Sequence, residues 1–409
     1  MSSTSSPKAR RNIGCIGCGG VILLFFVALA GYSAIRFLID QNNYNKGHAA
    51  YAQADCAVAV SHFDNVVNAW RVIDIGGFPA RAEQEKAECV PFQAAVAKHE
   101  SGDLPVALMA YMDFVRDNSN SALTGAARER GASLFGQTDP SGLASQDSCD
   151  RMDILLQEDF VPQQDVNLPP FYLACGQVYD SMNDGQASFE MYKTLLTEYP
   201  DSVLASEAES SLMANPQACE ASESLRNSAI AERTDFMPSL YVGCGQAYEE
   251  IGDWDAAILM YENFLADHPD HALAADVEAA LARSIVAQAQ ALGAGEIPPP
   301  ARSGSTGSDV TAVIIQNDSP DPLRIVFSGP ESRVEELEAC DTCTNYTGTG
   351  PAFCPELGPI GNYTLLPGEY DVVVESVSDD GTTPWTGSWE MLSGDEYYSC
   401  FFVVTTFGP

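Results

Sequence analysis

Positive charge is scarce in this chain. Its 409 residues carry 20 Lys and Arg against 57 Asp and Glu. Four of the cations, Lys8, Arg10, Arg11 and Arg36, precede the first acid, Asp40, which leaves the remainder at a net −41. A surface of that sign repels phosphate backbones, so nucleic acid is not an expected partner. The acidity serves either solubility or a groove for a basic partner. Histidine is scarcer still: His48, His62, His99, His268 and His271 are the whole complement. None lies in the C-terminal region, where a catalytic triad would lack its base. His268 and His271 bracket Pro269 at the end of a helical pattern, and proline forbids the continuous helix that would set two metal ligands on one face. GxSxG, HExxH, GxxxxGK and GxGxxG are all missing, and with them the spacings that build nucleophile elbows, zinc helices and phosphate cradles. No enzymatic activity, cofactor or metal is expected on these grounds.

One long apolar run stands out. Residues 13–35 hold 23 uncharged, mostly apolar positions behind Lys8, Arg10 and Arg11, about the ~20 needed to cross a bilayer. The positive flank keeps residues 1–12 as a cytoplasmic tail, makes residues 13–39 a transmembrane signal anchor and sends the rest outside. A cleaved signal peptide competes with this reading, because Ala28-Leu29-Ala30 has the small-x-small form of a cleavage site. Both readings place the bulk of the chain beyond the cytoplasm, and the first makes it a single-pass protein of the cell membrane. Cys15 and Cys18 sit at the inner edge of the span as helix-packing positions, with lipid or metal attachment as the alternative. The other ten cysteines, an even number, suit pairing in an oxidising compartment.

From residue 40 to 292 the pattern is helical and repetitive. In residues 240–269, LYVGCGQAYEEIGDWDAAILMYENFLADHP, two blocks of helical periodicity are split by Gly252-Asp253. Gly245 and Ala257 let two helices approach, Tyr248 and Tyr261 fill the gap, and Pro269 stops the second helix. Cys175, Gly176, Gln177, Tyr179, Tyr192 and Pro200 recur 69 residues later as Cys244, Gly245, Gln246, Tyr248, Tyr261 and Pro269. Weaker copies are read at residues 42–67, with Gly47, Ala59 and Phe63, and at residues 92–118, with Ala95, Ala107 and Tyr111. Extra helices are expected at PARAEQEKAE, at residues 218–232 before the last hairpin and at residues 276–291 after it. Each unit carries a cysteine pair: Cys56 with Cys89, Cys149 with Cys175 and Cys219 with Cys244, although Cys175 and Cys244 could instead be buried thiols.

This pattern resembles a tetratricopeptide repeat, residue by residue at Gly245, Tyr248, Ala257, Tyr261 and Pro269. The resemblance implies an α-solenoid and protein-protein interaction, with the first helix of each hairpin lining the concave face. On that placement Gln177, Asp180, Gln246, Glu249 and Glu250 are the candidate partner-binding residues, and their carboxylates favour a basic or polar extended peptide.

Residues 293–309, rich in Pro, Gly and Ser, read as a linker between independently moving domains. Beyond it, residues 310–409 hold short runs of β-branched and aromatic residues and predict a small antiparallel β-sandwich. Tyr370, Val372 and Val374 should share one strand face, Pro367-Gly368 should form a type II turn and Asp379-Asp380-Gly381 a hairpin turn, with residues 331–339 offered as the one helix. Cys340, Cys343, Cys354 and Cys400 are read as disulfides, with zinc or a redox-active Cys340-x-x-Cys343 as alternatives. Trp385 and Trp389 fall on one side of one strand, as core or as a sugar-stacking platform. Asn345 and Asn362 begin glycosylation sequons. The expectation is therefore a multidomain α plus β protein: one transmembrane helix, an α-solenoid and a cysteine-bearing β-domain. It would act as a membrane-anchored extracytoplasmic scaffold, with a cell-envelope enzyme, redox protein or carbohydrate binder as the alternatives.

Overall fold

The computed structural model describes residues 16–348, 350–377 and 383–405, with side chains for those between 23 and 404. The expected cytoplasmic tail, Cys15 and the turn at Asp379-Asp380-Gly381 lie outside the described residues. The chain divides into two compact units, with the division between Ala208 and Glu209.

The first unit opens with α1, Ile16–Ala52. Leu23, Leu24, Phe25, Phe26 and Val27 stand exposed on it, and among the described residues it is the one helix long and apolar enough to cross a membrane. It runs without a break through the expected boundary at residue 40, so the candidate span and the first helix of the first hairpin are one element. The hairpin closes with α2, Cys56–Val67. Next come α3, Phe78–Glu100, and α4, Leu104–Asp117. The helix expected at PARAEQEKAE is not separate: it continues through Pro91 as the first helix of the second hairpin. After α5, Thr124–Ser133, the short α6, Gln146–Cys149, and α7, Met152–Gln157, lead to the hairpin of α8, Gln164–Ser181, and α9, Gly185–Glu198. Helix α10, Ala205–Met213, contains the division between the units.

The hairpin turns share one construction. Ala54, Gly102, Asn183 and Gly252 each have positive φ, between 57° and 81°, and each is followed by an aspartate, Asp55, Asp103, Asp184 or Asp253, as N-cap of the next helix. The left-handed residue closes one helix, and at three of the four turns the aspartate side chain satisfies a free N–H of the next, Asp103 being the exception. Asp55, Asp184 and Asp253 accept from Val58, Ala187 and Ala256 at 3.1, 3.1 and 3.2 Å.

In the second unit the helix expected at residues 218–232 is broken into α11, Pro216–Glu220, α12, Ser222–Arg226, and a single 3₁₀ turn. The hairpin α13, Phe236–Ile251, and α14, Trp254–Asp267, then packs with α15, Ala274–Ala291. Residues 293–309 differ from the expected linker. Gly295–Glu296 is β1 and Ala301–Ser305 is β2, paired with strands some 90 residues downstream. The remaining strands are β3, Thr311–Asn317; β4, Leu323–Ser328; β5, Ser332–Leu337; β6, Tyr346–Thr347; β7, Ile360–Leu365; β8, Gly368–Ser376; β9, Trp385–Met391; β10, Asp395–Phe401; and β11, Val404–Thr405.

These strands form sheets in the orders β1-β9-β8-β4-β5, β2-β10-β3-β7 and β11-β6. The two larger sheets are mixed rather than antiparallel, since β1 with β9 and β3 with β10 run parallel, and the two-stranded sheet is parallel. The stretch offered as a helix, residues 331–339, contains β5, held antiparallel to β4. Gly368 begins β8 rather than sitting inside a turn.

One apolar cluster draws on both larger sheets. Val313, Ile315, Tyr363 and Leu365 come from the four-stranded sheet, and Ile325, Phe327, Tyr370, Val372, Val374 and Trp389 from the five-stranded one. Val326 and Val373 point to the other face by strand alternation, yet they are equally buried. That face carries α15, which contacts β4, β5, β8 and β9. An ion pair ties the same face to the hairpin: Arg324 reaches Glu262 of α14 at 3.2 Å and Glu375 at 3.4 Å. The β-region and the last hairpin are therefore packed together.

Candidate functional site

The hairpins are built on a contact between a small residue and an aromatic ring. Tyr261, Tyr192, Tyr111 and Phe63 are fully buried, and each follows its small partner, Gly245, Gly176, Ala95 or Gly47, by sixteen positions. A Cβ added at Gly245 would lie 2.6 Å from Tyr261 Cζ, at Gly176 2.5 Å from Tyr192 Cζ, and at Gly47 2.7 Å from Phe63 Cδ1. Real carbons approach to about 3.5 Å, so the ring occupies the space that the absent side chain leaves.

That contact fixes which way the neighbouring residues face. With Gly245 turned inward on α13, Gln246 and Glu250 turn outward, and with Ser239 and Gly243 they form an exposed stripe at helical spacing. Glu249 is half-buried and accepts from Ser284 Oγ of α15 at 2.7 Å. It also faces Tyr261, whose hydroxyl pKa is pushed up by burial first and by the charge of Glu249 second. On α8 in the first unit, Gln177 and Asp180 are exposed, but Asp180 accepts from the Tyr192 hydroxyl at 2.6 Å and Gln177 donates to Glu207 at 3.2 Å. Thus Asp180 and Glu249 stitch helices together, whereas Gln246 and Glu250 present their side chains to solvent.

Tyrosine-carboxylate pairs recur and were not anticipated. Tyr179 donates to Asp150 at 2.7 Å and Tyr241 to Asp267 at 3.1 Å. Burial, and then the Asp267 bond, push the Tyr241 pKa up to about 12. Part of the excess acid therefore serves as hydrogen-bond acceptor for buried tyrosines, Asp150 from an exposed position and Asp267 from a half-buried one.

The ten cysteines pair as five disulfides. Cys149–Cys175 and Cys219–Cys244, with Cα atoms 5.6 and 5.5 Å apart, fasten α6 to α8 and α11 to α13. Cys56–Cys89, at 5.3 Å, fastens α2 to α3. Cys340–Cys343 and Cys354–Cys400 complete the set. Both of these flank Asp318, a fully buried carboxylate that accepts backbone N–H groups from Glu356, Leu357 and Gly358 at 2.7, 2.9 and 2.6 Å. Bonded sulfurs offer no thiolate to a metal, and Asp318 is already engaged by those amides. Cys340 and Cys343 are also buried. Asp318 escaped the sequence reading because QNDSPDP looks like an ordinary turn. Of the two tryptophans weighed as a stacking platform, Trp389 is in the core, while Trp385 is half exposed with its ring over Gly295.

Residues 245–271 match the tetratricopeptide repeat family, which covers α13 from Gly245 and all of α14. No curated protein matches the chain.

Proposed function

We propose that the chain is a membrane-anchored, extracytoplasmic interaction scaffold rather than an enzyme. In this reading its helical hairpins stack as a short solenoid, its β-region forms a sandwich, and the outward stripe of the first hairpin helix docks a protein partner. The observation that carries this is the position of Gln246 and Glu250 within the matched repeat: exposed, adjacent at helical spacing, and not used to hold the hairpin together. The match supports protein binding as the class of activity, and the surrounding acidity favours a basic or polar extended segment. Asp180 and Glu249, weighed with them from the sequence, serve this reading as supports of the scaffold.

Full-length chain in detergent, titrated with a fluorescent lysine-rich peptide and with its glutamate-rich counterpart, tests the charge preference. Preferential binding of the basic peptide, weakened by salt and by Glu250→Lys, is expected. Equal binding of both peptides, or binding indifferent to salt and to Glu250→Lys, refutes it.

A further inference from the structure

We propose that the loop between α2 and α3, residues 68–77, is a second membrane contact that seats the first hairpin on the bilayer interface. The inference rests on α1 crossing a membrane. Within six consecutive positions this loop exposes Trp70, Val72, Ile73 and Ile75, at 69, 39, 63 and 46%. A soluble surface tolerates single exposed apolar residues, whereas a run containing tryptophan and two isoleucines marks an interaction face.

Its occupant follows from where the loop is fastened. Tyr32 of α1 donates its hydroxyl to the Trp70 carbonyl at 2.9 Å, and the two rings lie 5.4 Å apart. Tyr32 belongs to the uncharged stretch that ends at Ile35. It therefore sits about 6 Å along the helix from Arg36, the first charge after that stretch. Trp70 is held at the same depth. The loop cannot swing away, because Arg71 pairs with Asp40 at 3.4 Å, Arg36 donates to the Asn65 carbonyl at 2.8 Å, and Phe37 packs on Phe78 at 5.6 Å. Asp40 is buried between Arg36 and Arg71, so the first carboxylate after the span is paired with both neighbouring guanidiniums. A Tyr-Trp pair at one level, with aliphatic side chains beside it and ion pairs above it, is the arrangement that suits the boundary between headgroups and acyl chains. Asp74, exposed between Ile73 and Ile75, would stay at the headgroup rim.

The test uses the full chain in phosphatidylcholine vesicles, with brominated acyl chains as the membrane quencher and acrylamide as the aqueous one. Wild type is compared with Trp70→Phe, so that emission from Trp254, Trp385 and Trp389 cancels. The expected result is a Trp70 component that brominated lipid quenches and acrylamide does not. The proposal is overturned if acrylamide quenches that component, which places the loop in water, or if neither agent does, which places it under protein. Alkaline washing of the same vesicles separates the two readings: a chain that washes off refutes the membrane span itself, whereas a chain that stays while Trp70 is lipid-insensitive refutes only the loop contact.

Discussion

Gly243 and Gly245 lie two residues apart on α13, yet alanine at the two positions should act in opposite directions. A Cβ at Gly243 meets nothing within 4 Å, so Gly243→Ala only gains helix propensity and stabilises by about 0.5–1 kcal/mol. At Gly245 the same methyl falls 2.6 Å from Tyr261 Cζ, about 1 Å inside ordinary contact. Either the ring leaves its site or α13 separates from α14, at an overpacking cost of about 1–3 kcal/mol. The propensity gain is common to both variants, so the difference between them measures the steric term alone, about 1–3 kcal/mol. Native-state hydrogen exchange of the full chain, read at the amides of α13 and α14, reports this directly: protection rises in Gly243→Ala and falls in Gly245→Ala. Equal gains in the two variants would refute the argument that ring and missing side chain share one space.

Two further outcomes are expected. Replacing Cys219 and Cys244 by serine opens a loop of 25 residues and should lower the stability of the second unit by about 3 kcal/mol, seen as a lower urea midpoint, with no effect if those cysteines are free thiols in solution. Arg324→Met leaves Glu375 and Glu262 facing each other without their cation and should destabilise by about 1–3 kcal/mol at neutral pH. Burial already raises the Glu375 pKa, so its protonated form is favoured in the fold, and the contribution of this one group to stability is fully present at acid pH and is lost as pH rises through that raised pKa. The Arg324→Met deficit should therefore shrink on acidification; a deficit independent of pH would contradict this.

What the sequence disclosed and what it hid divide by range of interaction. Gly245 with Tyr261 and Gly176 with Tyr192 were readable because helix pairing within a hairpin is local and periodic. The strands β1 and β2 were not, because their pairing is with β9 and β10 through backbone groups, and a ladder leaves no periodic trace in a Pro- and Gly-rich stretch. Gly295 looked like linker, but it is where the ring of Trp385 rests. A signal for the packing of α15 on the sheet was present: Val372-Val373-Val374 and Ile325-Val326-Phe327 are continuous apolar runs rather than alternations, which is how a strand buried on both faces reads. The division of labour among carboxylates was hidden because nothing local distinguishes Glu249, bonded to Ser284, from Glu250, which faces water. Residues 218–232 contain helix formers but break twice, at Ala221 and Asn227, where short segments turn to meet their neighbours.

The proposed function requires contact between the outward stripe of α13 and a protein partner. Its most direct measurement is site-specific photo-crosslinking of the full chain in its native membranes, with the photoreactive residue at Gln246 or, as a control, at exposed Leu259 on α14. A discrete adduct is expected from Gln246, absent from Leu259 and lost in Glu250→Lys. Adducts of equal yield from both positions, or an adduct at Gln246 unchanged by Glu250→Lys, would contradict it.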